Sequence, residues 1–199
     1  MVNAARSLGA IIFAGGRGSR LGGVDKADLE LGGARLVDRA VAATRLAGVA
    51  RPVVVGPTGS APPGCLAVRE QPPYSGPLAA LAAGLAVIDS DVEEVLLLAC
   101  DLVRPDDVVA QLRVHAPAAR EDAVLLRDPD GRAQWLAGRY RVPPLARAVA
   151  ALDGLVADQP LRRVMASLEL RWLDADAETV ADIDTPSDLA RARAAIHRP

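Results

Sequence analysis

Aromatic residues make up only 3% of this 199-residue chain. That scarcity leaves too few ring faces for a surface that stacks the bases of single-stranded nucleic acid. Charge of one sign is also lacking. The formal net charge is −2, with acidic and basic residues interleaved, so no basic face for DNA or RNA is implied. The two cysteines, Cys65 and Cys100, have no C-x-x-C spacing, which argues against a zinc site and a redox pair. They read as small core residues in a reducing compartment. Of the two histidines, His115 falls at the end of an expected helix and His197 in the tail. Neither accompanies a candidate nucleophile, so a Ser-His-Asp arrangement is not supported. The first apolar run is too short for a membrane span and leads at once into glycine and arginine. A cytoplasmic protein that uses neither nucleic acid nor membrane is expected.

Apolar aliphatics are plentiful: hydrophobic residues reach 51%, enough for one full core built from Ala, Val, Leu and Ile. The most telling stretch follows the apolar run Leu8-Gly9-Ala10-Ile11-Ile12. It reads Phe13-Ala14-Gly15-Gly16-Arg17-Gly18-Ser19-Arg20-Leu21-Gly22-Gly23-Val24-Asp25-Lys26. Glycine lets backbone N–H groups approach a ligand closely, and Arg17, Arg20 and Lys26 add positive charge at the same place. This is a cradle for a polyphosphate. It is neither of the two best-known ones. A Gly-x-Gly-x-x-Gly fingerprint fails at Leu21, and a P-loop fails because Lys26 is followed by Ala27.

Short β-rich runs alternate with Ala/Leu-rich segments. Strands are expected over 8–14, 52–56, 65–69, 94–100 and 170–173, and helices over 36–47, 77–88, 105–115, 144–152 and 161–168. Segments 122–127 and 134–140 bracket the turn Asp128-Pro129-Asp130-Gly131 and form an antiparallel pair in an otherwise parallel sheet. Thr185 and Pro186 open a closing helix as N-cap and first residue. The alternation predicts a single-domain α/β fold over 1–199: a Rossmann-like three-layer α/β/α sandwich whose mostly parallel sheet carries an antiparallel strand. On such sheets ligands bind beyond the carboxyl ends of the strands.

Asp101 ends the most apolar strand and should emerge at the same rim as the glycine-rich loop. One carboxylate there, with phosphate oxygens and water, suits Mg²⁺. The alternative for Asp101 is an N-cap for the helix beginning near Pro105. Asp182 and Asp184 alternate and share a face if extended, so either could be a second metal ligand; otherwise both serve loop geometry and capping. Gly76, Pro77 and Leu78 open a helix whose N-terminal N–H groups suit an anion or a base. Glu70 could accept hydrogen bonds from a nucleoside, or simply be exposed. Cations, a metal carboxylate and backbone N–H groups suit phosphoryl or nucleotidyl transfer. An acceptor that is itself a phosphate needs no general base.

These residues together resemble the MobA-like nucleotidyltransferases, and within that family most closely its molybdenum cofactor guanylyltransferases. The family's opening motif Leu-Ala-Gly-Gly-x-x-x-Arg-Met-Gly-Gly-x-Asp-Lys is similar to Phe13-Ala14-Gly15-Gly16 followed by Arg20-Leu21-Gly22-Gly23-Val24-Asp25-Lys26. Its Gly-Pro-Leu-Ala-Gly resembles Gly76-Pro77-Leu78-Ala79-Ala80, and its Cys-Asp metal motif resembles Cys100-Asp101. Later segments, Gly131-Arg132 through Tyr140, Arg162-Arg163-Val164-Met165 and Asp184-Thr185-Pro186, extend the likeness over nearly the whole chain. The resemblance implies Mg²⁺–GTP across the sheet rim and attack of the molybdopterin phosphate on the α-phosphorus. It implies nucleotide contacts from Phe13, Ala14, Gly15, Gly16, Lys26, Gly56, Glu70, Gly76, Pro77 and Leu78. Charge neutralisation then comes from Arg20 and Lys26, and metal binding from Asp101 with Asp182 or Asp184. Other cofactor-biosynthesis proteins are implied as partners.

The chain also departs from the family pattern. Pro-Cys-Asp-x-Pro reads Ala99-Cys100-Asp101-Leu102-Val103. Gly56 stands where Asn can follow a strand, Asn-x-Asn-Thr-Pro reads Asp182-Ile183-Asp184-Thr185-Pro186, and Trp135 replaces a usual proline. Three alternatives stay open: a cytidylyltransferase for the same cofactor, a guanylyltransferase for a small phosphorylated acid, and a non-catalytic nucleotide-binding paralogue.

Overall fold

Two strands, Leu8–Phe13 (β1) and Glu94–Ala99 (β6), form the middle of the protein because both faces of each are apolar and both are buried. A computed structural model of the chain describes residues 7–15 and 25–196. Gly16, Arg17, Gly18, Arg20 and His197 lie outside the described residues. The remaining strands are Glu30–Leu31 (β2), Ala34–Arg35 (β3), Val53–Val55 (β4), Leu66–Val68 (β5), Ala123–Arg127 (β7), Ala133–Arg141 (β8) and Leu170–Asp174 (β9). Of the nine strands among the described residues, all but β2 and β3 make one sheet in the order β5-β4-β1-β6-β8-β7-β9. Only β8 runs against its neighbours. The turn at 128–131 reverses the chain, as its Asp-Pro-Asp-Gly composition predicts, and β8 then inserts between β6 and β7.

Helices cover both faces. Leu36–Leu46 (α1) and Pro105–Val114 (α3) pack on the side of Ala10, Ile12, Val54, Leu96 and Leu98. Gly76–Val87 (α2), Val142–Ala150 (α4) and the short Arg162–Met165 (α5) pack on the side of Ile11, Val53, Val55, Val95 and Leu97. Alternation along each strand sends neighbouring side chains to opposite layers, so the three-layer arrangement follows from period two. Pro186–Ile196 (α6) closes the chain over the β2–β3 ribbon, where Ala192 packs with Leu31, Leu36 and Ile183. Among the described residues no helix is long and apolar enough to cross a membrane.

Three expectations shift. Helix α4 starts at Val142, two residues before the expected position, because prolines are tolerated in a first turn whose N–H groups have no intrahelical partner. The helix expected over 161–168 shrinks to four residues. The ribbon β2–β3, turning at Gly32 and Gly33 with φ of +64° and +81°, has no counterpart in the sequence reading.

From β1 the chain moves outward to β4 and β5, then returns to β6 on the other side of β1. The strand order therefore reverses between β1 and β6. At such a switch point the loops leave the carboxyl edge in opposite directions and open a crevice.

Candidate nucleotide and metal site

That crevice is a cleft of about 390 Å³ lined by Phe13, Gly15, Glu70, Tyr74, Gly76, Pro77 and Asp101, with Ala80, Ala99 and Leu136 beneath. Each wall has a local origin. Phe13 and Gly15 come from the exit of β1. Gly76 takes φ +86°, a conformation that favours glycine, and Pro77 follows it in the first turn of α2. The first turn of α2 therefore presents N–H groups to the cleft. Glu70 is buried, and its Oε1 accepts the Tyr74 N–H at 2.8 Å. The Tyr74 ring lies under the Arg69 guanidinium, 4.9 Å from the ring centroid. Tyr74 is a wall residue that the sequence reading missed, since nothing in Pro73-Tyr74-Ser75 marks a residue with φ +64°.

Asp101 stands at the end of the cleft. It does not cap α3: the N-cap position is Arg104 and carries no side-chain cap bond. Instead Lys26 Nζ donates to Asp101 Oδ2 at 2.7 Å and to Asp184 Oδ1 at 2.5 Å. Lys26 is delivered by a one-turn 3₁₀ helix, Lys26–Asp28, whose N-cap Asp25 accepts the Ala27 N–H at 3.1 Å. Burial by itself would lower the Lys26 pKa, but the charge and hydrogen bond of Asp101, then those of Asp184, hold it above its ordinary value.

Asp182 and Asp184 reach the site because 181–183 runs antiparallel beside 101–103. The Val103 N–H donates to Ala181 O and the Ile183 N–H to Asp101 O. Neither aspartate caps α6. Thr185 does so, as expected: its Oγ1 accepts the Asp188 N–H at 3.2 Å while Asp188 accepts the Thr185 N–H at 2.7 Å, a reciprocal capping box. The protein packed around the Asp182 carboxyl, followed by the charges of Asp101 and Asp184, pushes its pKa up. Among the described residues, the Lys26 ammonium thus meets the carboxylates of Asp101 and Asp184, with Asp182 close by.

The donor set is all oxygen, which suits a hard divalent cation such as Mg²⁺. Among the described residues no group of three His, Cys, Asp or Glu side chains is gathered closely enough to hold a metal. Mg²⁺ is commonly held by one or two carboxylates, with phosphate and water as its other ligands.

The remaining expected contacts sit lower. Ala14 and Leu78 are fully buried and do not line the cleft, so only their backbones could serve a ligand. Gly56 is buried beneath the loop after β1. A Cβ there would lie 3.0 Å from the Ala14 carbonyl carbon and Cβ. That close approach explains glycine at a position where the family can carry Asn. Substitution Gly56→Asn should push the 13–15 backbone outward, lower stability by about 1–3 kcal/mol and raise the KM for nucleotide. Urea denaturation and initial rates would show it; an unchanged midpoint and KM would mean that the loop has room.

Residues 10–173 match the model of the MobA-like NTP transferase domain. A protein of Natronomonas pharaonis described as a probable molybdenum cofactor guanylyltransferase is 30% identical over 200 residues, covering 92% of this chain and 95% of that one. Molybdopterin-guanine dinucleotide biosynthesis protein A from Archaeoglobus fulgidus superposes with a TM-score of 0.71 at 18% identity, over 94% of this chain and 98% of that one. The 2-C-methyl-D-erythritol 4-phosphate cytidylyltransferase from Thermus thermophilus gives 0.68 at 22% identity, over 96% and 100%. The two structural likenesses establish a shared fold.

Proposed function

Because the chain belongs to the MobA-like NTP transferase family and is a nucleotidyltransferase, we propose that it transfers GMP from Mg²⁺–GTP to the phosphate of molybdenum-bearing molybdopterin. Pyrophosphate leaves, and a molybdopterin guanine dinucleotide forms. The observation that carries this reading is the cluster of Lys26, Asp101 and Asp184 at the end of β6, where it closes the cleft at the switch point.

An oxygen of the acceptor phosphate forms the new bond to the α-phosphorus, and the bond from that phosphorus to the β-bridging oxygen breaks. The acceptor is already an anion, so no side chain has to remove a proton, in keeping with a cleft lined by no histidine among the described residues. Asp101 would hold the metal, with Asp182 or Asp184 as a second carboxylate. When bound, the metal neutralises phosphate charge and favours the leaving pyrophosphate. Lys26 exchanges its carboxylate partners for the triphosphate, and Arg20 adds a second cation to the same charge. Glu70, which keeps acceptor capacity beyond its bond to Tyr74, faces the N–H groups of guanine, and the first turn of α2 holds the nucleoside end. The whole chain serves as one nucleotidyltransferase domain, acting in the cytoplasm alongside other cofactor-biosynthesis proteins.

Purified protein with Mg²⁺, GTP and molybdopterin should release pyrophosphate. A four-nucleotide screen measures the base preference. Faster turnover of CTP would overturn the guanine assignment and favour the cytidylyl reading. Nucleotide binding with no turnover against any acceptor would overturn the reaction itself.

A further inference from the structure

The nucleotide cleft shares Pro77, Ala99 and Leu136 with a second hollow of about 400 Å³ on the β8 side of Asp101. Its walls include Trp135, Pro160, Leu161, Arg162 and Asp182. Trp135 is there for a structural reason. The ladder between β7 and β8 jumps from Leu125↔Gly138 to Leu126↔Gln134, so residues 135–137 bulge out of register with β7. Bulges re-aim side chains and are common beside active sites. Ala137 still pairs with Leu98, which puts Trp135 two residues farther toward the rim where Asp101 emerges.

The indole is held firmly. Trp172 packs against it edge to face, with centroids 5.6 Å apart and planes at 66°. The hydroxyl of buried Tyr140 donates to the Trp135 carbonyl at 2.8 Å. The indole is half-buried: part of it packs on the core beside α4 and α5, and it also lines the second hollow. Arg162 is exposed on the same wall and makes no ion pair among the described residues. A ring face and an unpaired guanidinium fit a planar heterocycle that carries a phosphate. A three-carbon acid would leave most of the hollow empty, since about 300 Å³ or more suits a drug-sized ligand.

Resting on the nucleotidyl-transfer reading and its pterin acceptor, we infer that Trp135 is the residue that selects this acceptor, its indole stacking on the acceptor ring with Arg162 on the anionic side. Trp135 is a specificity-determining residue and takes no part in bond making.

Two acceptor probes test this, 6-hydroxymethylpterin monophosphate and glycerol 3-phosphate, each with Mg²⁺–GTP and the full-length protein. The wild type should favour the pterin phosphate in kcat/KM. Trp135→Ala should raise the KM for the pterin phosphate about tenfold, in line with the stacking of one base. It should leave the KM for GTP and the glycerol phosphate rate unchanged, and Trp135→Phe should restore most of the preference. Calorimetric titration of the pterin phosphate gives the same comparison without turnover, and matching thermal melts exclude misfolding of the variant. Equal use of both acceptors by the wild type, or an alanine variant with unaltered preference, would overturn the inference while leaving nucleotidyl transfer intact. No turnover with either probe or with molybdopterin would instead refute the transferase reading.

Discussion

Replacing Asp101 by alanine should lower pyrophosphate release by about 10³-fold, the scale on which an enzyme loses a group aimed at developing charge. Asp101 both lines the cleft and accepts from Lys26 at 2.7 Å. Its side chain is only 14% exposed, so a metal or ammonium beside it is poorly screened by water. Without it, Lys26 keeps Asp184 as a partner, and the fold should survive; a thermal melt close to wild type would confirm that. The neighbouring Cys100→Ala provides the contrast. Cys100 is buried, burial pushes its thiol pKa up, and it does not line the cleft. That variant should keep most of its turnover. Wild-type rates in Asp101→Ala would remove this carboxylate from the mechanism.

The second large effect concerns stability at the opposite end of β6. Glu94 opens that strand, and Arg139 Nε donates to Glu94 Oε2 at 2.7 Å with both side chains almost wholly enclosed. The same guanidinium donates to the carbonyls of Leu112 and Arg113 in the last turn of α3, where a cation complements the helix end. Removing Glu94 strands the enclosed Arg139 guanidinium and costs about 3–5 kcal/mol. Glu94→Leu should therefore lower the melting temperature by roughly 10 °C, given about 2–4 °C per kcal/mol at this chain length. Adding Arg139→Met to it should recover part of that loss, because the guanidinium is then no longer stranded. Turnover well below the melting temperature should stay near wild type, since Glu94 and the cleft lie at opposite ends of the strand. A Glu94→Leu variant as stable as the wild type would show that water reaches this guanidinium.

Much of the architecture could be read from local patterns. Val95 to Leu98 are continuously apolar, and only a strand covered on both faces buries such a run. Asp128-Pro129-Asp130-Gly131 announced the reversal that makes β8 antiparallel. Thr185-Pro186 marked the start of α6, although its other cap partner is Asp188 rather than Asp184. Where the reading fell short, the missing information lay outside the segment itself. Gly56 is implied as a ligand contact by the resemblance; that glycine is also needed there for space shows only in the approach of Ala14.

The sequence by itself determined the chemistry available. Glycine-rich backbone, a few cations, carboxylates at strand ends and no suitably placed histidine point to phosphate transfer, because those properties belong to residues and short motifs. Tertiary structure decided which of these groups meet. Lys26 finds Asp101 and Asp184 across 75 and 158 residues, and no local pattern specifies such a pairing. It follows from strand order, which sets β1 beside β6, and from the 181–183 segment lying along the exit of β6. The same holds for Trp135, whose place at the rim depends on a bulge that only the register of β7 against β8 reveals.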